Sequence, residues 1–215
     1  MESNIKLKQI KCLEGLYYSF ELLKVNYHNL YEKCVSIQSN PENLISAITQ
    51  CWFIVDVVNR IREISQNIPR LSNKDTNLKI FLEKTNNAEN YRHYIQHLRQ
   101  ELTKNDLNLF PVWGTISWVD PKDSNYSFFT VIGSGIKSTE YPSCTYDTRN
   151  GKWVSKVCLS MGNLSFEFDP IYDATIAFRD FIIKWFKDNH ELEISKMKFS
   201  ILKVGIHLKK KPILL

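Results

Sequence analysis

The chain has 215 residues, of which 43% are hydrophobic and 24% charged, with a formal net charge of +5 and a pI near 8.8. That length buries a substantial core, and that composition argues against intrinsic disorder. The mild positive balance permits a polyanionic partner but does not demand one, because basic nucleic-acid binders usually carry a denser stripe than Lys209-Lys210-Lys211.

The residues from Met1 to Lys8 lack a long apolar run, so no secretory leader is expected. No run of about 18 uncharged apolar residues occurs either, which points away from a membrane span and from a membrane partner. Cys12, Cys34, Cys51, Cys144 and Cys158 form an odd set without a Cys-x-x-Cys pair. This is the pattern of reduced thiols in a cytoplasmic protein, and it argues against structural zinc. No cofactor is implied.

In chain order, residues 5–37 read as a first helix, with Leu13, Leu16, Tyr17, Phe20, Leu23 and Leu30 at helical spacing. Asn40-Pro41-Glu42 is a helix-start signal, and the helix it opens carries Leu44, Ile48, Cys51, Val55, Val58 and Ile61 along one stripe before Pro69 ends it. Residues 72–75 open a third helix containing Leu78, Ile80, Phe81 and Leu82, with a break expected at Asn86-Asn87. A fourth, over residues 88–104, is expected to bury Tyr91, Ile95, Leu98 and Leu102.

Near residue 110 the period changes. A strand is expected over 110–119, another over 128–132, then a hairpin at Asn150-Gly151 between Tyr146 and Trp153, and strands at 152–160 and 163–168. Asp169-Pro170 starts a long helix over 170–189, with Ile171, Ala174, Phe178, Phe181, Ile182 and Trp185 on its buried side. Residues 199–206 supply a last strand. The expected class is α+β: a helical bundle over 1–109, then an antiparallel sheet over 110–215 with the long helix packed on it. No Gly/Ser/Pro linker separates the two, so one compact body is expected.

Chemistry concentrates at Arg92-His93-Tyr94-Ile95-Gln96-His97 in the fourth helix. His93 and His97 are four apart and stand one above the other, with Arg92 and Gln96 beside them. Attack of a ribose 2′-hydroxyl on the neighbouring phosphate needs a base titrating near neutrality, which histidine supplies. It also needs a donor fork for the crowded phosphorane, which arginine supplies. No metal is required. On the second helix Asp56, Asn59, Arg60 and Glu63 make a polar strip; Asp56 can pair with Arg60, or wall the same cleft and steady Arg92 or His97.

Arg92-His93-x3-His97 resembles the Arg-x4–6-His motif of the HEPN superfamily of helical-bundle proteins, many of them RNases of toxin–antitoxin and phage-defence systems. The wider stretch through Trp113-Gly114 is similar to bacterial proteins that follow a HEPN-like helix with a Trp-Gly strand; the resemblance covers roughly residues 40–120. It implies a metal-independent endoribonuclease acting as a homodimer. In it Arg92, His97 and His93 are catalytic, Gln96, Asp56 and Arg60 lie in the substrate-binding or supporting shell, RNA is the substrate, and an antitoxin or other protein is a further partner. The alternative is a non-catalytic binding or dimerisation module on the same bundle. A metal reading of His93 and His97 lacks the Glu that a metalloprotease places after the first His; Tyr94 stands there. Trp113 and Trp118, read as one strand, would point to opposite faces.

Overall fold

The computed structural model describes residues 2–103, 111–131, 143–161 and 164–194. Four helices lead: α1 (Glu2–Ser36), α2 (Asn43–Gln66), α3 (Thr76–Lys84) and α4 (Asn86–Gln96), followed by the single turn α5 (Leu98–Glu101). Strands β1 (Thr115–Val119), β2 (Ser127–Val131), β3 (Tyr146–Asp147), β4 (Lys152–Trp153), β5 (Val157–Met161) and β6 (Leu164–Glu167) come next, and α6 (Phe168–His190) closes the order. The fold is α+β.

The paired contacts Gln9–Pro69, Gln50–Asn26 and Lys33–Ser46 show α1 and α2 running antiparallel. The connection is capped locally: the Asn40 side chain accepts from the backbone N–H of Glu42. Pro41 therefore lies in a turn, and α2 begins at Asn43. Asp75 caps α3, accepting from the N–H groups of Asn77 and Leu78. By length and hydropathy α2 is able to cross a bilayer, but 56% of its most apolar window is buried within the fold. Ile48, Cys51, Ile54, Val55, Val58 and Ile61 are all buried there.

β2, β1, β5 and β6 form one antiparallel sheet in that order. Alternation divides its faces. Ile116, Trp118, Val157, Leu159, Met161 and Phe166 enter the same hydrophobic core as α1, α2, α3, α4 and α6, so one core runs through the helical and β portions. On the opposite face Val119 and Cys158 meet Cys144, with Trp153 alongside. Phe81 of α3 stacks on Phe178 of α6 with ring centroids 4.3 Å apart. Along α6, Phe186 is fully buried where Phe181 and Trp185 are only partly so.

Several boundaries differ from the sequence expectation. The strand expected from residue 110 begins at Thr115, because Gly114 sits at φ 77° and interrupts the extended run. A Cβ there would lie 2.5 Å from the carbonyl oxygen of Ser160, so the close passage of β5 requires glycine. Trp113 consequently belongs to a turn. The expected strand at 152–160 is split into β4 and β5, since Ser155 and Lys156 turn aside to Asp169: the Lys156 N–H donates to its carboxylate at 3.0 Å and the Asp169 N–H donates to Ser155 Oγ at 3.0 Å. Tyr146 does pair with Trp153, across a four-residue loop at 148–151. Residues 199–206 and the lysines at 209–211 lie outside the described residues.

Candidate functional site

The α4 helix is pinned from two sides, by the β5–β6 edge of the sheet and by α2. Tyr91 is fully buried, and its hydroxyl lies 2.6 Å from the carbonyl oxygen of Leu159 and 3.1 Å from that of Leu164, at the β5–β6 edge of the sheet. Burial pushes this phenol's pKa up, so it stays a donor. Asn87 donates through Nδ2 to the carbonyl oxygen of Ser165 at 2.7 Å. From α2 the buried Arg62 guanidinium reaches the carbonyl oxygen of Leu82, Thr85 Oγ1 and the Glu89 carboxylate, stitching α2 to the α3–α4 junction.

That junction falls at Thr85, one residue before the expected Asn86-Asn87 break. The Thr85 hydroxyl donates to the carbonyl oxygen of Phe81 and is itself buried, so the side chain fills the corner. The expected long buried stripe is corrected too. Tyr91 and Ala88 are buried, but Ile95 is 39% and Leu102 59% exposed, and Leu98 is only partly buried. The cause is a second break: α4 ends at Gln96, and His97, with φ −107° and ψ 19°, is the hinge to α5. Beyond it the apolar spacing no longer follows one helix.

His97 and His93 are brought together across the final turn of α4, with ring centroids 4.3 Å apart and planes at 43°. His93 is exposed and His97 partly so. Among the described residues, no side-chain or carbonyl group bonds to a ring nitrogen of either. Arg92 turns the other way, toward α2, where Nη1 lies 2.7 Å from Asp56 Oδ1. The second carboxylate oxygen of Asp56 meets Arg60 Nε at 2.5 Å. One carboxylate thus bridges two guanidiniums at the surface, and the remaining N–H donors of Arg92 have no partner among the described residues. Five helical steps separate Arg92 from His97 by about 140° around the axis, with the exposed Gln96 and His93 between them.

The sequence reading missed Arg62, although a signal was present. It lies seven residues after Val55 and four after Val58, on the apolar stripe, where a guanidinium must be neutralised and bonded. The part played by Trp52 was also unread. Trp52 donates to the carbonyl oxygen of Trp113 at 3.2 Å and packs edge-on to its ring, leaving Trp113 49% exposed beside the α2–α4 seam. Tyr94 reaches the carbonyl oxygen of Val112. All five cysteines are unpaired. Burial raises the thiol pKa of Cys34 and of Cys144 to about 12, so both are protonated, inert hydrophobes. Among the described residues, no three His, Cys, Asp or Glu side chains converge as metal ligands.

In comparisons with family models, curated proteins and solved structures, nothing matches this chain.

Proposed function

We propose that the chain is a metal-independent endoribonuclease of HEPN type, with Arg92, His93 and His97 as its working groups. The observation that carries the reading is a pair of imidazoles 4.3 Å apart whose ring nitrogens have no partner among the described residues, on the same helix as a half-exposed guanidinium held by Asp56. In the reaction His97 takes the proton of a ribose 2′-hydroxyl as the 2′-oxygen bonds to phosphorus. The bond from phosphorus to the 5′-oxygen breaks, and that oxygen receives a proton from the neighbouring imidazole or from water. Arg92 stabilises the equatorial oxygens of the phosphorane, and His93 orients the phosphate. Gln96 lies between them as a neutral contact, while Asp56, itself steadied by Arg60, orients Arg92. Because Arg92 and His97 lie about 140° apart around the axis, a substrate strand would cross α4 over Gln96 and His93 to meet both, and a homodimer would set two such helices beside one groove. RNA, a second copy and a silencing protein partner are the proposed interactors, in the cytoplasm.

The test is incubation of the purified protein with mixed RNA, with and without EDTA, beside His97→Ala. The expected outcome is cleavage indifferent to chelator, products ending in a cyclic phosphate, and loss of at least about 10²-fold in the variant with its circular dichroism unchanged. Equal cleavage by His97→Ala would remove that residue from the mechanism.

One observation favours a second reading. Arg92 is already ion-paired, and an Asp56–Arg92 pair that merely fastens α4 to α2 suits a non-catalytic binding or dimerisation module. Absence of cleavage by the wild-type chain across all RNA pools would favour it.

A further inference from the structure

Gln9, in the third turn of α1, is only 3% exposed. Its Nε2 lies 3.1 Å from the carbonyl oxygen of Pro69 and 3.1 Å from His190 Nε2. A carbonyl oxygen can only accept, so the amide atom facing Pro69 must be the NH2 group. The same nitrogen faces the imidazole, and its second hydrogen points there. His190 Nε2 must therefore offer a lone pair, which requires a neutral ring with its proton on Nδ1.

This contact joins three distant segments: the start of α1, the turn that follows α2, and the last residue of α6. The His190 ring is held edge-on to Trp185 with centroids 4.6 Å apart. The charged groups around it are Arg70 from the α2–α3 connection, the Glu2 carboxylate of α1 that lies 3.5 Å from Arg70, and Lys187 and Glu191 at its own helix end. Protonation would set an N–H donor against an N–H donor, with Arg70 adding a second cation.

The geometry points to an acid-released latch, in which protonation of His190 breaks the Gln9 bridge and frees the end of α6 from the start of α1. Burial, and then the charge of Arg70, hold the imidazole below the ordinary histidine range. The neutral form is thus the one the fold favours. The latch's contribution is complete above the unfolded histidine value, near about 6.5, and is lost as pH falls from there through the folded value. Release should be local, because the reporters beside it are single cap bonds: the Glu191 N–H to Lys187 and the Leu192 N–H to Phe186.

The experiment is long-range nitrogen–proton NMR of the full chain, with His190 assigned by the signal missing in His190→Asn, together with hydrogen exchange followed as protection factors from about pH 7.5 to 5. The expected result is an Nδ1–H tautomer at the upper end. Protection at residues 191 and 192 should fall several-fold on acidification while α2 amides keep theirs, and the fall should be flattened in Gln9→Met. An Nε2–H tautomer at neutral pH overturns the proposal, and so does protection at 191 and 192 that ignores pH. The wild-type tautomer decides the matter even if Gln9→Met fails to fold, and neither readout depends on RNA cleavage.

Discussion

The Arg92 fork is presented by a carboxylate that is itself shared. Because Asp56 uses one oxygen for Arg92 and the other for Arg60, Arg92 can turn toward a phosphate while Asp56 stays paired. A lysine would keep the charge but lose the planar pair of donors that a phosphorane needs. Arg92→Lys is therefore expected to lower RNA cleavage by about 10²-fold while changing stability by less than about 1 kcal/mol, since the exposed ion pair contributes little to folding. Single-turnover rates beside urea titrations check it, and a variant cleaving at the wild-type rate would reduce Arg92 to a fastening residue. At this scale the site was partly legible. A spacing of four on a helix brings His93 and His97 together whatever the tertiary context, and the Asp56–Arg60 spacing acts in the same way. Arg92 reaching Asp56 depends on how α2 and α4 lie against each other, which no local spacing encodes.

Among the elements, α4 is placed less by its own apolar residues than by polar bonds from its neighbours. Ala88 and Tyr91 are its buried positions, so Arg62, Asn87 and the Tyr91 hydroxyl fix its height and rotation. Arg62 is the strongest of these, a buried guanidinium whose partners lie on both sides of the α3–α4 corner. Arg62→Met removes that cation but strands the Leu82 carbonyl and releases Glu89 to solvent. The expected cost is about 2–4 kcal/mol in urea unfolding, together with a shift in the environment of His93 and His97 visible by NMR. A loss below about 0.5 kcal/mol would mean that packing alone sets α4. The elements themselves were readable where one rule dominated, as in the long apolar stripe of α2, the opening of a third helix at residues 72–75 and the Tyr146–Trp153 hairpin. Two readings failed where a tertiary contact cut across a local pattern: Gly114 yields to the close passage of Ser160, and Asp169 draws residues 155 and 156 out of an otherwise unbroken strand. A third failed at the backbone itself, where His97 leaves helical geometry although the apolar spacing runs on through Leu102.

At the scale of the whole molecule, the change of period near residue 110 marks a boundary of composition but does not divide the core. Phe81 of the helical portion stacks on Phe178 of α6, and Tyr91 packs edge-on to Phe166 of β6 with centroids 5.7 Å apart. One buried cluster runs from Leu13 to Phe186. Removing the second portion would leave Leu78, Phe81 and Tyr91 facing water, and each large apolar side chain so exposed forfeits roughly 1.5–3 kcal/mol, which a domain stable by about 5–15 kcal/mol cannot sustain several times over. The full chain is therefore expected to unfold in a single transition, with tryptophan fluorescence and far-ultraviolet circular dichroism giving coincident curves and the calorimetric and van't Hoff enthalpies agreeing. The fragment 1–103 alone is expected to retain helix yet show no cooperative melting. A fragment that melts sharply on its own would show that the bundle carries a sufficient core without the sheet, and would make the motif helix independent of the β5–β6 edge that holds Tyr91.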